Sequence, residues 1–273
     1  MKTLHKKKSA VKRAVKSRAK TAAKAAKSVK RAVKAAVKSA ATSAKAGRAA
    51  KSARKPAGAK KHVVVLHGIA VNKLFMTGIS GYLKKQGYTV HSLSYPSRAK
   101  SWETLVDEHL APAIQEIPAS KVDFVVHSMG GLLVRVYAQR YGAKKIGRVV
   151  MIGTPNHGSE VADFLRSWPV YQWYFGEAGQ TLGTSRDGIH AKLPPVNFEC
   201  GVIAGDNDWF RFVRNALVPN FQTPNDGAVS VESTKVDGMK DHTVISGDHS
   251  QMVWMPKVWR QAASFLRNGK FAG

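Results

Sequence analysis

Cysteine is almost absent from the sequence. Cys200 stands alone, so the chain can form no internal disulfide and no Cys-based metal cluster, which fits a reducing compartment or indifference to redox state. Long apolar runs are missing as well. None approaches the roughly 20 residues of a membrane span. The basic start, Met1 to Lys8, is followed by no apolar core of a secretory signal. A third absence is local. Residues 1–61 contain no Asp or Glu, no Trp, Tyr or Phe, and a single leucine, Leu4. A stretch so poor in large apolar groups cannot build a core of its own.

That stretch holds 22 Lys+Arg and 19 Ala. The remaining residues, 62–273, carry the other 22 basic residues and all 17 acids, so the chain's net charge of +27 divides into +22 and +5. Val11-Lys-Arg-Ala-Val-Lys16 recurs as Val29-Lys-Arg-Ala-Val-Lys34, an offset of 18 residues, which is five turns of helix at about 3.6 residues each. Ala and Lys favour helix, whereas Lys repeated at i, i+4 opposes it by repulsion. The expectation is a disordered or partly helical arm that firms up on a polyanion, ending in a linker at Pro56 and Gly58. It resembles the Lys/Ala-rich tails of linker histones. Nucleic acid fits such an arm better than a membrane surface, because five Val and one Leu offer little to insert. The preponderance of Lys over Arg separates it from organelle transit peptides. The expected location is cytoplasmic, with nucleoid or granule association through the arm.

From His62 onward the pattern changes to that of a folded domain, large enough for one core. Val63–Leu66 reads as a buried strand, 72–86 as a helix, Tyr88–Leu93 as a strand and 101–117 as a helix. Val122–His127 reads as a strand, 130–141 as a helix, and Ile146–Ile152, Phe198–Ala204 and Asp241–Ser246 as strands. A closing helix follows over 252–268. Strands alternating with helices imply an α/β, doubly wound, mostly parallel sheet, with chemistry at the carboxyl ends of the strands.

The most informative segment is Asp123-Phe-Val-Val-His-Ser-Met-Gly-Gly-Leu132. A strand runs into Ser128 and a helix starts after it, the strand–turn–helix that lifts a serine Oγ above a sheet. Gly130 supplies one of the small residues this turn needs. The other position, two before the serine, holds Val126. Upstream, the strand at 63–66 ends in His67-Gly68. A loop there and the residue after the nucleophile provide the two backbone N–H groups of an oxyanion hole. The donors are then Ile69 and Met129, with Gly68 letting the backbone approach the charge.

Taken in order, His67-Gly68, His127-Ser-Met-Gly-Gly131, Gly153-Thr-Pro-Asn-His-Gly-Ser159, Asn225-Asp-Gly-Ala-Val229 and a late histidine resemble the α/β-hydrolase superfamily. Within it they are most similar to bacterial lipases and esterases. The resemblance covers 62–273 and none of the arm. It implies a triad in the order Ser, acid, His. Asp206, Asp208 and Asp226 compete for the acid. The resemblance favours Asp226, in Asp-Gly-Ala-Val, and makes 207–225 an insertion. His242 and His249 compete for the base, and the superfamily places its histidine at His249, in the loop before the last helix. His67, His127 and His157 read as structural, and Cys200 as a small buried hydrophobe.

Helices between the sixth and seventh strands of this superfamily commonly cap the site. Here 158–195 is irregular and aromatic, so Trp168, Tyr171, Trp173, Tyr174 and Phe175 become candidates to hold an acyl group or to pack the cap. Some related lipases bind calcium with an acid two positions after the histidine. That position is Gln251, so no metal and no cofactor is implied. The implied activity is ester hydrolysis through an acyl-enzyme. An acyltransferase, an intracellular polyester depolymerase and a polyanion-binding protein with an inert body are the rivals.

Overall fold

The computed structural model describes residues 61–207 and 224–273. The arm short of Lys61, Asp208 and nearly all of the expected insertion lie outside the described residues.

Six strands form one sheet in the order β2-β1-β3-β4-β5-β6, and every neighbouring pair is parallel. They are β1 (His62–Leu66), β2 (Thr89–Leu93), β3 (Val122–His127), β4 (Ile146–Ile152), β5 (Cys200–Gly205) and β6 (Asp241–Ile245). The apolar β-branched runs of β1, β3 and β4 are what a sheet covered on both faces requires. β5 is buried at every position, whereas β2 at one edge is only half-buried throughout.

Alternation divides the core into two layers. Val64, Leu66, Phe124, Val126, Val149, Met151 and Val202 point to one face. Val63, Val65, Val125, Val150, Ile152 and Ile203 point to the other. The first face is covered by α2 (Trp102–Leu105), α3 (Ala111–Gln115) and α4 (Met129–Tyr141), and the second by α1 (Thr77–Lys85) and the last helix, α8 (Pro256–Asn268). α2 and α3 are one helical run joined by a π-helical turn, Val106–Leu110. Asp107 in that turn takes an Arg140 Nε–H at 2.9 Å and the Tyr141 hydroxyl at 2.8 Å, tying it to the end of α4.

α8 shows why the closing helix forms. Pro256 sits at its first turn, where the missing N–H costs nothing. Val258, Ala262, Phe265 and Leu266 are buried along one stripe, with Lys257 and Arg267 exposed opposite. Gly269, at φ +69°, closes it in the left-handed conformation that favours glycine.

Between β4 and β5 lies the cap, which is more regular than its composition suggests. It contains α5 (Glu160–Leu165), α6 (Pro169–Gln180) and a 3-10 turn, Ile189–Lys192. The Ser159 hydroxyl caps α5 by accepting from the Ala162 amide, and it also donates to the Ala228 carbonyl at 2.7 Å. α6 is kinked at Gly176, at φ +61°. A Cβ there would stand 1.7 Å from the Arg98 carbonyl oxygen, so only glycine lets α6 sit on the loop after β2. α7 (Val231–Thr234) follows the Asn225–Val229 loop. Among the described residues, no helix is long and apolar enough to cross a membrane.

Candidate active site

The site is assembled at the carboxyl ends of β3, β5 and β6. β3 ends at His127, and Ser128 takes φ +54°, ψ −125°, a backbone region that side chains other than glycine rarely adopt. Two bonds pin it there: its N–H donates to the Ile152 carbonyl at 2.9 Å, and its own carbonyl accepts from Gly131 at 3.0 Å. The glycines around this turn answer to contact distances. A Cβ on Gly130 would lie 3.0 Å from the His67 carbonyl oxygen, and one on Gly131 2.2 Å from Thr154 Oγ1. Val126, which departs from the usual small residue, is fully buried in the sheet core opposite Leu66 and Met151. Its side chain therefore costs the elbow no space.

Three expected side chains stand in hydrogen-bond sequence. His249 Nε2 lies 3.0 Å from Ser128 Oγ, and His249 Nδ1 lies 2.7 Å from Asp226 Oδ2. Asp226 is 1% exposed. Its Oδ1 accepts from the Ala228 and Val229 amides at 3.0 and 2.8 Å, which leaves Oδ2 for the ring. The backbone matches this arrangement, because the His249 N–H donates to the Asp226 carbonyl at 2.9 Å. With Nδ1–H given to the carboxylate, the Nε2 lone pair faces the serine hydroxyl. The ring is held above the ordinary imidazole pKa. Burial favours its neutral form, but the charge and hydrogen bond of Asp226, and then the charge of Asp248, outweigh it.

The competing residues fall elsewhere. Asp206 is exposed at the end of β5. His242, on β6, meets Thr234 Oγ1 at 3.3 Å. His157 is exposed in the loop after β4. His67 is fully buried and stacks on Tyr95 with ring centroids 4.2 Å apart, while its Nδ1 meets the Gly68 carbonyl at 2.7 Å. It thus orders the loop that leads to Ile69. The next residue, Ala70, has φ +60°, and its N–H is held by Ser97 Oγ at 3.0 Å. The Ile69 and Met129 amides are given to no backbone carbonyl among the described residues. A Cβ on Gly68 would lie 3.0 Å from Ser128 Cβ, so the loop passes directly over the serine.

Two neighbours of His249 went unrecognised in the sequence. His127 reaches around the elbow, and its Nε2–H donates to the His249 carbonyl at 2.9 Å. Burial, then the charge of His249, push the His127 pKa well down, so it is neutral. Asp248 accepts from the Ser250 and Gln251 amides at 2.9 Å each, and burial raises its pKa. Only adjacency in sequence could have signalled either one. Gly153, at φ +56°, is a third such position, since a Cβ there would lie 3.1 Å from both Asp226 Oδ2 and His249 Nδ1.

Of the cap aromatics, Tyr171 is buried, with its hydroxyl donating to the Gly179 carbonyl at 3.1 Å. Phe175 packs on it at 4.5 Å between centroids and, with Trp168 and Ile69, borders the core under the cap. Tyr174 lies under the Arg98 guanidinium, 5.1 Å from the ring centroid. Trp173 is 81% exposed and lines nothing in the described chain.

The family model of the α/β hydrolase fold matches residues 61–196. A triacylglycerol lipase of Burkholderia plantarii is 29% identical over 129 residues, 43% of this chain and 36% of that protein. A triacylglycerol lipase of Pseudarthrobacter phenanthrenivorans is 28% identical over 121 residues, 40% of this chain and 38% of the relative. The match thus spans little more than a third of either relative. Among solved structures, the mature Bacillus licheniformis lipase BlEst2 superposes with a TM-score of 0.61 at 22% identity, covering 80% of this chain and 96% of that one. A metagenomic carboxyl esterase superposes with a TM-score of 0.55 at 17% identity, over 75% of this chain and 70% of that one. The chain has the α/β-hydrolase fold, and lipases and an esterase are among the proteins it is similar to.

Proposed function

We propose that the chain hydrolyses carboxylic esters through Ser128, His249 and Asp226. The observation that carries this is the unbroken sequence Ser128 Oγ, His249, Asp226 at 3.0 and 2.7 Å. His249 Nε2 takes the serine proton as Oγ attacks the acyl carbonyl, and Asp226 stabilises the imidazolium that forms. The Ile69 and Met129 amides hold the negative oxygen. The imidazolium proton then leaves with the alcohol. Water, deprotonated by His249, cleaves the acyl-enzyme and restores the serine. Trp168, Tyr171 and Phe175 keep the covering cap apolar, which suits an acyl chain. The curated relatives are triacylglycerol lipases, in keeping with an ester substrate.

Ser128→Ala tests the reading. Its kcat/KM on a short p-nitrophenyl ester should fall by about a thousandfold or more, with the unfolding midpoint unchanged. A Ser128→Ala enzyme as fast as its parent sinks the proposal.

For the arm we propose a sequence-blind tether to nucleic acid, supported by its 22 basic and no acidic residues. Replacing Lys12, Lys16, Lys20 and Lys24 by Gln in the full chain should flatten the salt dependence of binding to a DNA duplex. An unchanged salt slope counts against the tether.

A further inference from the structure

The body's own charge is not spread evenly. The amino ends of the strands form the end of the molecule opposite Ser128. Lys61 and Lys121 stand directly before β1 and β3, and Lys144 stands in the turn before β4. They are joined there by Lys84 and Lys85, which close α1, and by Lys270 after α8. All six are exposed. None has a carboxylate within 4.0 Å among the described residues.

The acids at this end are already engaged. Asp123 accepts from the Arg148 amide at 2.8 Å. Glu199 is held by Arg148 and Lys240 at 2.9 and 3.2 Å. Asp241 accepts from the His242 and Phe271 amides at 2.8 and 2.7 Å. Glu116, at the end of α3, and Asp237, exposed in the turn before β6, have no side-chain hydrogen bond or ion pair among the described residues. At the carboxyl ends of the strands the charges are mixed: Asp206, Asp226 and Asp248 stand by the serine, with Lys73, Arg98 and Lys100 exposed in the loops after β1 and β2.

Helix dipoles explain part of this, since cations are stabilised at helix carboxyl ends such as that of α1. They do not explain Lys61, Lys121 and Lys144, which lie in the approaches to strands. Those approaches border one open groove of about 720 Å³, whose lining includes Lys61, Lys121 and Arg148 and also Asp123 and Glu199.

We propose that this amino-end face is a second binding surface for the phosphate backbone of duplex DNA, distinct from the arm and facing away from the catalytic serine. Six strands spaced by about 4.8 Å make the face roughly 24 Å across, about seven base-pair steps of duplex at 3.4 Å each, or roughly two thirds of a helical turn. A membrane fits it less well. Of the large exposed apolar side chains among the described residues, Leu74, Tyr141, Trp173 and Val244, only Tyr141 stands near this end.

The test uses the full chain and the salt dependence of its affinity for a DNA duplex. Lys85→Gln, Lys121→Gln and Lys144→Gln together remove three charges from the face. A matched variant removes three exposed charges elsewhere: Lys73→Gln, Lys192→Gln and Lys257→Gln. The face variant should lose about 2 to 3 units of log–log salt slope, at about 0.9 per phosphate contact, while the matched variant keeps the parent slope. Equal losses in both variants mean that only net charge matters, and overturn the proposal. So does a parental slope in the face variant. Binding of the face variant to anionic vesicles is measured alongside. Lost vesicle binding with a parental DNA slope makes the face a membrane surface, and also overturns it. The arm's four-lysine variant is read separately, so either surface can fail without the other.

Discussion

At the residue scale, His249 is set by three carboxylate-bearing or imidazole neighbours, each by a different route. Asp226 fixes the ring's tautomer, Asp248 adds charge beside it, and His127 holds its backbone carbonyl. Asp226→Asn keeps the shape but invites the wrong tautomer, so kcat should fall by about ten-thousandfold. Asp248→Asn makes a finer prediction. Its amide oxygen still accepts the Ser250 and Gln251 N–H groups, but the charge that raises the His249 pKa is gone. The proposed mechanism needs neutral His249, so activity rises with pH through that pKa. The acid limb of kcat/KM against pH should therefore move to lower pH, with the plateau nearly unchanged. A limb that stays or moves up contradicts the assignment. The hydrogen-bonded set Ser128, His249 and Asp226 was legible in the sequence, Ser128 from its strand–turn–helix pattern and the other two from the family resemblance. His127 and Asp248 were not, since their effect passes through a carbonyl and through space.

At the element scale, the β3–α4 elbow depends on close backbone approach. Gly131→Ala should cost about 1–3 kcal/mol, because the added methyl meets Thr154 Oγ1, Cγ2 and Cβ, and the β4 loop must move. Thermal unfolding of Gly131→Ala and of Gly131→Ala with Thr154→Gly measures the coupling. The double variant should recover part of the loss. All six strands were readable to within about two residues, β1, β3 and β4 from their apolar β-branched runs and the others from their spacing between helices. The cap was not, since α5 and α6 are held by tertiary contacts such as Gly176 on Arg98 and Ser159 on Ala228. Composition alone made those aromatics look irregular. Trp173 drew attention as an aromatic near the site, yet periodicity could not tell which side of α6 faces out.

At the scale of the whole molecule, buried histidines couple stability to pH. Burial lowers the pKa of His67, and burial and His249 lower that of His127. Both rings take up protons in the unfolded chain near the ordinary value of about 6.5, before they do so in the native state. Their contribution is complete above that value and is lost as pH falls below it. His249 acts in the opposite sense. Its raised pKa contributes stability fully present below the ordinary value and lost as pH rises through the native one. The fall in unfolding free energy between about pH 6.5 and 5 should therefore be shallower in His127→Gln, by up to about 1.4 kcal/mol per pH unit. An equal slope in parent and variant would show that His127 is protonated in the native state.

The bond between Ser128 and His249 joins residues 121 positions apart. During synthesis Ser128 and its elbow emerge long before His249, the proposed base, which follows β6. A growing chain that already holds β1 through β4 carries the serine but cannot activate it. On the proposed mechanism, hydrolytic competence waits until His249 has been made, and on refolding it should return no sooner than the docking of β5 and β6. Turnover measured during refolding therefore reports the completion of the sheet.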